Sequence, residues 1–376
     1  MNEREVAELR RRFKADKSNI THVCGCYVNE NKEIISEFDQ SLATLSEEES
    51  EKLLSILRRT LSGALGRNLL DITFETKQVV EGAEHRLLMS LRSSALKDKE
   101  ALQTFFQRAI QSLDLEGNYL ILLAYDSYDV PYRAKDGSRQ EDASSDVFTY
   151  LLCSVCPVKQ TKPALSYSAQ ENLFHDLKVD WVVAPPETGF LFPAFDERST
   201  NLYNALFYTK NAAETHPDFV DAIFHREAPM AAAVQMETFQ AVLGESLAEE
   251  CSCQVVQRVH DHLYSMMEEH KASKDPEPLA ISKDAVTQVL ASCGVEEGHV
   301  ERFEQQYDQS FGDDAWLNPR NLLDTRQIEI KTNDVTIRVD AARSDLVETR
   351  VIDGSRYILV RAEDEVLMDG VPIHIS

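Results

Sequence analysis

At 376 residues, with 43% apolar and 27% charged residues, the chain has the composition of a folded protein too long for one comfortable core. Sixty-four acids against 39 basic residues give a formal charge of −25, a field that repels nucleic acid and anionic membranes. No run of roughly 18 apolar residues is present to span a bilayer, and the charged start Met1-Asn-Glu-Arg-Glu-Val6 lacks the apolar core of a signal peptide, so a cytoplasmic protein with seven reduced cysteines is expected.

In chain order, residues 2–15 read as a short amphipathic helix with Val6, Leu9 and Phe13 on one face. Arg10, Arg11, Arg12 and Lys14 form a basic cluster beside it, diluted by Glu3, Glu5 and Glu8, so a solvated face outweighs an RNA or phosphate site. Residues 20–37 read as a hairpin turned at Asn29-Glu-Asn-Lys32. Ser46-Glu-Glu-Glu49 matches a capping box and starts a helix carrying Leu53, Leu54, Leu57, Leu61 and Leu65 at helical spacing. Leu70 to Val79 reads as a strand. Two helices follow, the second marked by the stripe Leu102, Phe105, Phe106, Ala109, Ile110 and Leu113.

Asn118–Tyr125 and Val147–Cys156 are too continuously apolar for half-wetted strands and read as the buried centre of a sheet. Between them runs a polar excursion, Asp126 to Asp146. Strand-like pieces recur at Trp181–Ala184, Gly189–Phe192 and Leu202–Thr209, broken by Pro185, Pro186 and Pro193. From His216 the pattern turns helical. Pro217 suits a first helical position, and helices are expected over 232–248, 252–270 and a pair over 282–311 interrupted at Gly294. Lys271 to Pro278 reads as a linker. After about Arg326, alternating runs punctuated by Asp353-Gly354 and Asp369-Gly370 read as a β-meander. The expected fold is mixed α+β: a core domain over 1–214, a helical region over 215–325, and the meander over 326–376.

Familiar catalytic motifs (a Walker loop, a dinucleotide glycine fingerprint, His-Glu-x-x-His, Gly-x-Ser-x-Gly) are absent from the sequence. Cys24-Gly-Cys26, Cys153-Ser-Val-Cys156 and Cys251-Ser-Cys253 are close pairs, but Cys153 and Cys156 on one strand point to opposite faces, so buried structural thiols are expected over a zinc knuckle. Asp221 and His225, four apart on a helix, suit an ion pair. The excursion offers most. Asp126 and Asp129, with Asp136, Glu141, Asp142 and Asp146, can gather a hard cation such as Mg²⁺. Tyr125, Tyr128 and Tyr132 can stack on a partner, and Arg133, Lys135 and Arg139 can hold an anion. Phe190, Phe192 and Asp196 lie in a Pro/Phe-rich stretch that is either a recognition surface or core.

The runs Glu5-Val-Ala-Glu-Leu-Arg-Arg-Arg-Phe13, Gly25-Cys-Tyr-Val-Asn29, Gly117-Asn-Tyr-Leu-Ile-Leu-Leu-Ala124, Tyr128-Asp-Val-Pro-Tyr132, Gly189-Phe-Leu-Phe-Pro-Ala-Phe-Asp196 and Asp345-Leu-Val-Glu-Thr-Arg-Val-Ile-Asp-Gly354 together resemble the domain of unknown function 4317 family, found chiefly in anaerobic Gram-positive bacteria. The likeness covers essentially the whole chain and implies no catalytic residue, cofactor or substrate. The expectation is a non-catalytic protein-binding or regulatory protein without a cofactor. The alternatives are a cation-dependent hydrolase working through Asp126 and Asp129, and a translation- or nucleic-acid-associated factor.

Overall fold

A computed structural model describes the chain apart from residues 134–138, 178–179, 314, 364–365 and 375–376, and gives the backbone alone for 132–133, 139–146, 164 and 175–177. The chain forms two compact units, Met1–Ala231 and Ala232–Ser376.

The first unit begins with α1 (Glu3–Arg10), the hairpin β1 (His22–Val28) and β2 (Ile34–Ser41), α2 (Glu47–Arg59), β3 (Leu69–Thr73), and the helices α3 (Thr76–Glu81), α4 (Ala83–Ser93) and α5 (Lys99–Ser112). Two long strands follow, β4 (Tyr119–Arg133) and β5 (Arg139–Gln160). Then come β6 (Ala164–Ser168), β7 (Leu173–Leu177), β8 (Trp181–Val183), β9 (Thr188–Phe192), β10 (Ala194–Asp196), β11 (Ser199–Asn201), β12 (Asn204–Thr209) and α6 (Pro217–Phe224). The main sheet is antiparallel in the order β2-β1-β4-β5-β9-β12-β3, with β8 pairing the end of β5.

Both faces of that sheet are buried, as the continuous apolar runs require. On one face Cys24, Cys26, Ile121, Leu123, Cys153, Phe190, Phe192 and Phe207 meet α4, α5 and α6. On the other, Leu122, Tyr150, Leu152, Leu191 and Leu206 meet α1 and α2 through Val6, Leu9, Leu54 and Leu57. The central strands deal successive residues to alternate cores, the period of two that a pleated strand imposes, while the edge strand β2 is largely exposed. Ser46 caps α2 in the expected box, its side chain accepting from the Glu49 N–H, and Pro217 opens α6.

In this unit the local geometry departs from the sequence reading at several points, and α2 ends at Arg59, so Leu61 and Leu65 follow the helix and reach the core from beyond it. The first helix stops at Arg10, where the chain turns so that Phe13 still reaches the core. The strand expected to run to Val79 ends at Thr73, because the Gln78 side chain accepts the Glu75 N–H at 2.9 Å and starts α3. Most consequentially, β4 continues through Asp126 to Arg133, so the first part of the expected excursion is strand. From Ala124 to Val130 its even-numbered residues stay buried while Asp129 is exposed, a half-wetted alternation.

The second unit packs α7 (Ala232–Leu247), α8 (Cys253–Ser273), α9 (Lys283–Ser292) and α10 (Glu297–Phe311) around Leu243, Leu247, Leu263, Leu290 and Phe303. Gly294 takes φ +79° and ends α9 where the interruption was expected. Residues 271–273 of the expected linker belong to α8, and the exposed turn begins at Lys274. Beyond Arg326 come β13 (Gln327–Lys331), β14 (Thr336–Asp340), β15 (Val347–Ile352), β16 (Ser355–Val360), β17 (Val366–Met368) and β18 (Val371–Ile373). They form three separate two-stranded hairpins in place of one meander. Asp353-Gly354 and Asp369-Gly370 turn the last two with positive φ at both residues, as a primed turn demands.

Candidate functional site

Asp126 sits on β4, 1% exposed, and faces the core that holds α1 and α2. Its Oδ1 accepts the backbone N–H of Ser127 at 2.9 Å and of Asn19 at 3.1 Å. Its Oδ2 accepts the Tyr150 hydroxyl at 2.7 Å and Arg12 Nε at 3.3 Å. Burial, and then the Asp126 charge, push the Tyr150 hydroxyl well above its ordinary range, so it remains a donor. Arg12 also bonds the Ser127 carbonyl at 3.2 Å and lies 4.3 Å from the Tyr128 ring centroid. Every acceptor direction of this carboxylate is occupied by protein. The cluster ties the segment after α1 to the middle of the sheet.

Asp129 is exposed on the opposite face of β4, three residues on, so the two carboxylates do not converge on one cation. Tyr128 is buried, donates to Glu8 Oε1 at 2.6 Å, and is pushed up to about 12 by burial and then by Glu8. Phe190 and Phe192 are wholly buried, with Phe190 5.1 Å from Phe224 and Phe192 5.8 Å from Phe74 between ring centroids, so neither offers a recognition surface. Asp196, on β10, accepts the Asn201 side-chain amide at 2.6 Å and lies 2.5 Å from the Met1 amino group. The side chains of Tyr132, Arg133, Arg139, Glu141, Asp142 and Asp146, and residues Lys135 and Asp136 altogether, lie outside the described residues.

Of the basic cluster, Arg10 and Arg12 turn inward: Arg10 donates to the Leu61 and Gly63 carbonyls. Only Arg11 and Lys14 stay exposed, which leaves little for a phosphate backbone. All seven cysteines are free thiols. Cys153 and Cys156 do face opposite cores. Asp221 and His225 form an exposed pair at 3.5 Å.

Two further features went unread in the sequence. The first is a cleft of about 800 Å³ between the β1–β2 hairpin and the turn after α4, where Ala95 and Leu96 both take left-handed backbone. On its wall His22 Nδ1 lies 2.8 Å from Asp39 Oδ1. Cys24, the cross-strand partner of Asp39, shares that carboxylate, and burial first and Asp39 second push its thiol up to about 11. The cleft suits a small ligand, but its thiol is no nucleophile at neutral pH. The second feature is the β6–β7 hairpin. Tyr167 and Phe174 are cross-strand partners with rings 5.2 Å apart, 55% and 68% exposed, and Leu165 on the same face is 70% exposed. The alternation of Leu165 and Tyr167 with serines was the legible signal for it.

The model of the family described as "Domain of unknown function (DUF4317)" matches residues 1–371. The chain belongs to that family. No curated protein matches it. Within this DUF4317 chain the match reaches into both units, so the buried Asp126 cluster, the cleft and the β6–β7 hairpin all lie inside the family domain. No helix among the described residues is long and apolar enough to cross a membrane.

Proposed function

We propose that this chain is a non-catalytic protein-binding protein whose partner covers the apolar face of the β6–β7 hairpin. The observation that carries the reading is the Leu165, Tyr167 and Phe174 face, an aromatic-rich surface on a two-stranded sheet that no other strand among the described residues extends. An isolated two-stranded hairpin is marginal in water. Aromatic side chains are the anchors that protein interfaces favour. Trp181 and Val182 on β8, about half exposed, add apolar surface to the same unit. The strong negative charge favours a protein partner over nucleic acid, and seven free thiols suit a reducing cytoplasm.

The competing enzymatic reading draws its support from the His22–Asp39 cleft rather than from Asp126, and the protonated Cys24 thiol weakens it.

The test is the double change Tyr167→Ser and Phe174→Ser in the full chain, compared with the unchanged chain by affinity capture and sedimentation velocity. Both positions are exposed, so stability should stay within about 0.5 kcal/mol. A protein retained by the unchanged chain should be lost by the variant. Failure of the unchanged chain to retain any protein or copy of itself, or retention that survives the double change, overturns the reading.

A further inference from the structure

We propose that Glu250, Glu296 and His299 form a binding site for a divalent transition-metal ion, zinc by the chemistry of the ligands. One carboxylate oxygen from each glutamate and one ring nitrogen of His299 lie within 4.8 Å of one another. All three belong to the second unit. Glu250 closes the short 3₁₀ turn after α7, Glu296 is the N-cap of α10, and His299 stands three residues on, within the first turn of that helix. Glu296 has the extended backbone of an N-cap and His299 is the third helical residue, positions whose side chains meet over the open end of a helix.

The histidine is oriented as a ligand would be. Its Nδ1 lies 2.8 Å from the Ser246 carbonyl, which can only accept. The proton therefore resides on Nδ1, and Nε2 keeps its lone pair for a cation. Metal-bound imidazoles show this arrangement, with the second ring nitrogen donating to a carbonyl or carboxylate. Ser246 is fully buried on α7, so the anchor is rigid.

Charge points the same way. Glu250 Oε2 accepts the Glu296 N–H at 3.0 Å, which accounts for one carboxylate as a helix cap and leaves its other oxygen available. A second carboxylate stands beside the first, Glu250 half-buried and Glu296 exposed, and among the described residues no ion pair joins either to a lysine or arginine. The helix N-terminus offsets part of that negative charge, and a bound cation would offset the rest. Tetrahedral ligands at about 2.0–2.2 Å from zinc stand about 3.3–3.6 Å apart. The long glutamate side chains can close that gap by rotation. Imidazole with two carboxylates suits zinc or manganese over magnesium, since imidazole is a poor ligand for hard cations. Three protein ligands leave one position for water.

The test uses the full chain, stripped with a chelator and titrated with zinc chloride alone by calorimetry and by competition with a chromophoric chelator. Manganese and magnesium chloride are run in parallel. One equivalent of zinc should bind at least tenfold more tightly than manganese, with magnesium silent. His299→Ala and Glu250→Gln should each weaken zinc at least tenfold, while the metal-free thermal midpoint of Glu250→Gln stays at that of the unchanged chain. The Glu250→Gln side chain keeps an acceptor for the Glu296 N–H, so this variant decides the matter if His299→Ala misfolds. Cys24→Ser with Cys26→Ser should leave zinc affinity unchanged. Absence of saturable zinc binding, or zinc affinity that survives Glu250→Gln, overturns the proposal.

Discussion

Replacing Asp126 by Asn isolates the charge of the buried carboxylate from its backbone bonds. Both backbone donors, Asn19 N and Ser127 N, bond to Oδ1, which an asparagine can reproduce. Tyr150 and Arg12 Nε bond to Oδ2, where the variant places an amide that donates. Arg12, with a side chain 13% exposed, then keeps a largely buried charge without its counter-ion. Removing one partner of a buried pair costs about 3–5 kcal/mol, and partial access of Arg12 to water argues for the lower end, about 3 kcal/mol. For a unit of 231 residues this corresponds to a fall of about 6–12 °C in midpoint. Asp129→Asn, at an exposed position, should stay within about 0.5 kcal/mol. Thermal and urea unfolding, followed by circular dichroism with and without Mg²⁺, measures both. In an Arg12→Met background the Asp126→Asn loss should shrink by about 1 kcal/mol or more, the signature of direct coupling. A midpoint shift no larger than that of Asp129→Asn, or strict additivity with Arg12→Met, would refute the reasoning. A Mg²⁺-dependent stabilisation of the unchanged chain that Asp126→Asn abolishes would restore the cation-site reading.

Alkaline pH should destabilise the first unit. Cys24 is pushed up to about 11, and Cys26 and Cys156 to about 12, by burial foremost, against 9.0 for a free thiol. Above pH 9 the unfolded chain therefore releases protons that the folded chain retains. The stabilisation is complete below about 9 and is lost as pH rises through 11 and 12. Urea midpoints should fall steadily above about pH 9, and a midpoint at about pH 10.5 unchanged from neutral pH would contradict the burial of these thiols. Gly189→Ala tests the packing of β9 on β5: the added Cβ would stand 2.2 Å from the Cys153 carbonyl oxygen and 2.8 Å from Thr60 Cγ2. A loss of about 3 kcal/mol or insoluble protein is expected, because a backbone carbonyl in the centre of a sheet cannot move aside; a soluble variant with an unchanged unfolding midpoint would refute the close approach.

Much of the architecture is local and was legible in order. The leucines of α2 with their Ser46 cap, Pro217 at the start of α6, Gly294 between α9 and α10, and the two Asp-Gly turns each act over a few residues, where sequence spacing and backbone preference coincide. The apolar runs of β4 and β5 likewise implied burial on both faces. The polar stretch beginning at Asp126 misled because polarity was read as exposure. Its carboxylate is buried through partners 24, 107 and 114 residues away, at Tyr150, Asn19 and Arg12. His22 with Asp39, and Glu250 with Glu296 and His299, likewise meet only through the fold, although His22, Asp39 and Glu296 stay exposed. The sequence alone determined most of the helices and central strands and most of the faces they bury. Tertiary structure decided which polar groups meet, because a buried charge is stable only where distant parts of the chain converge to satisfy it.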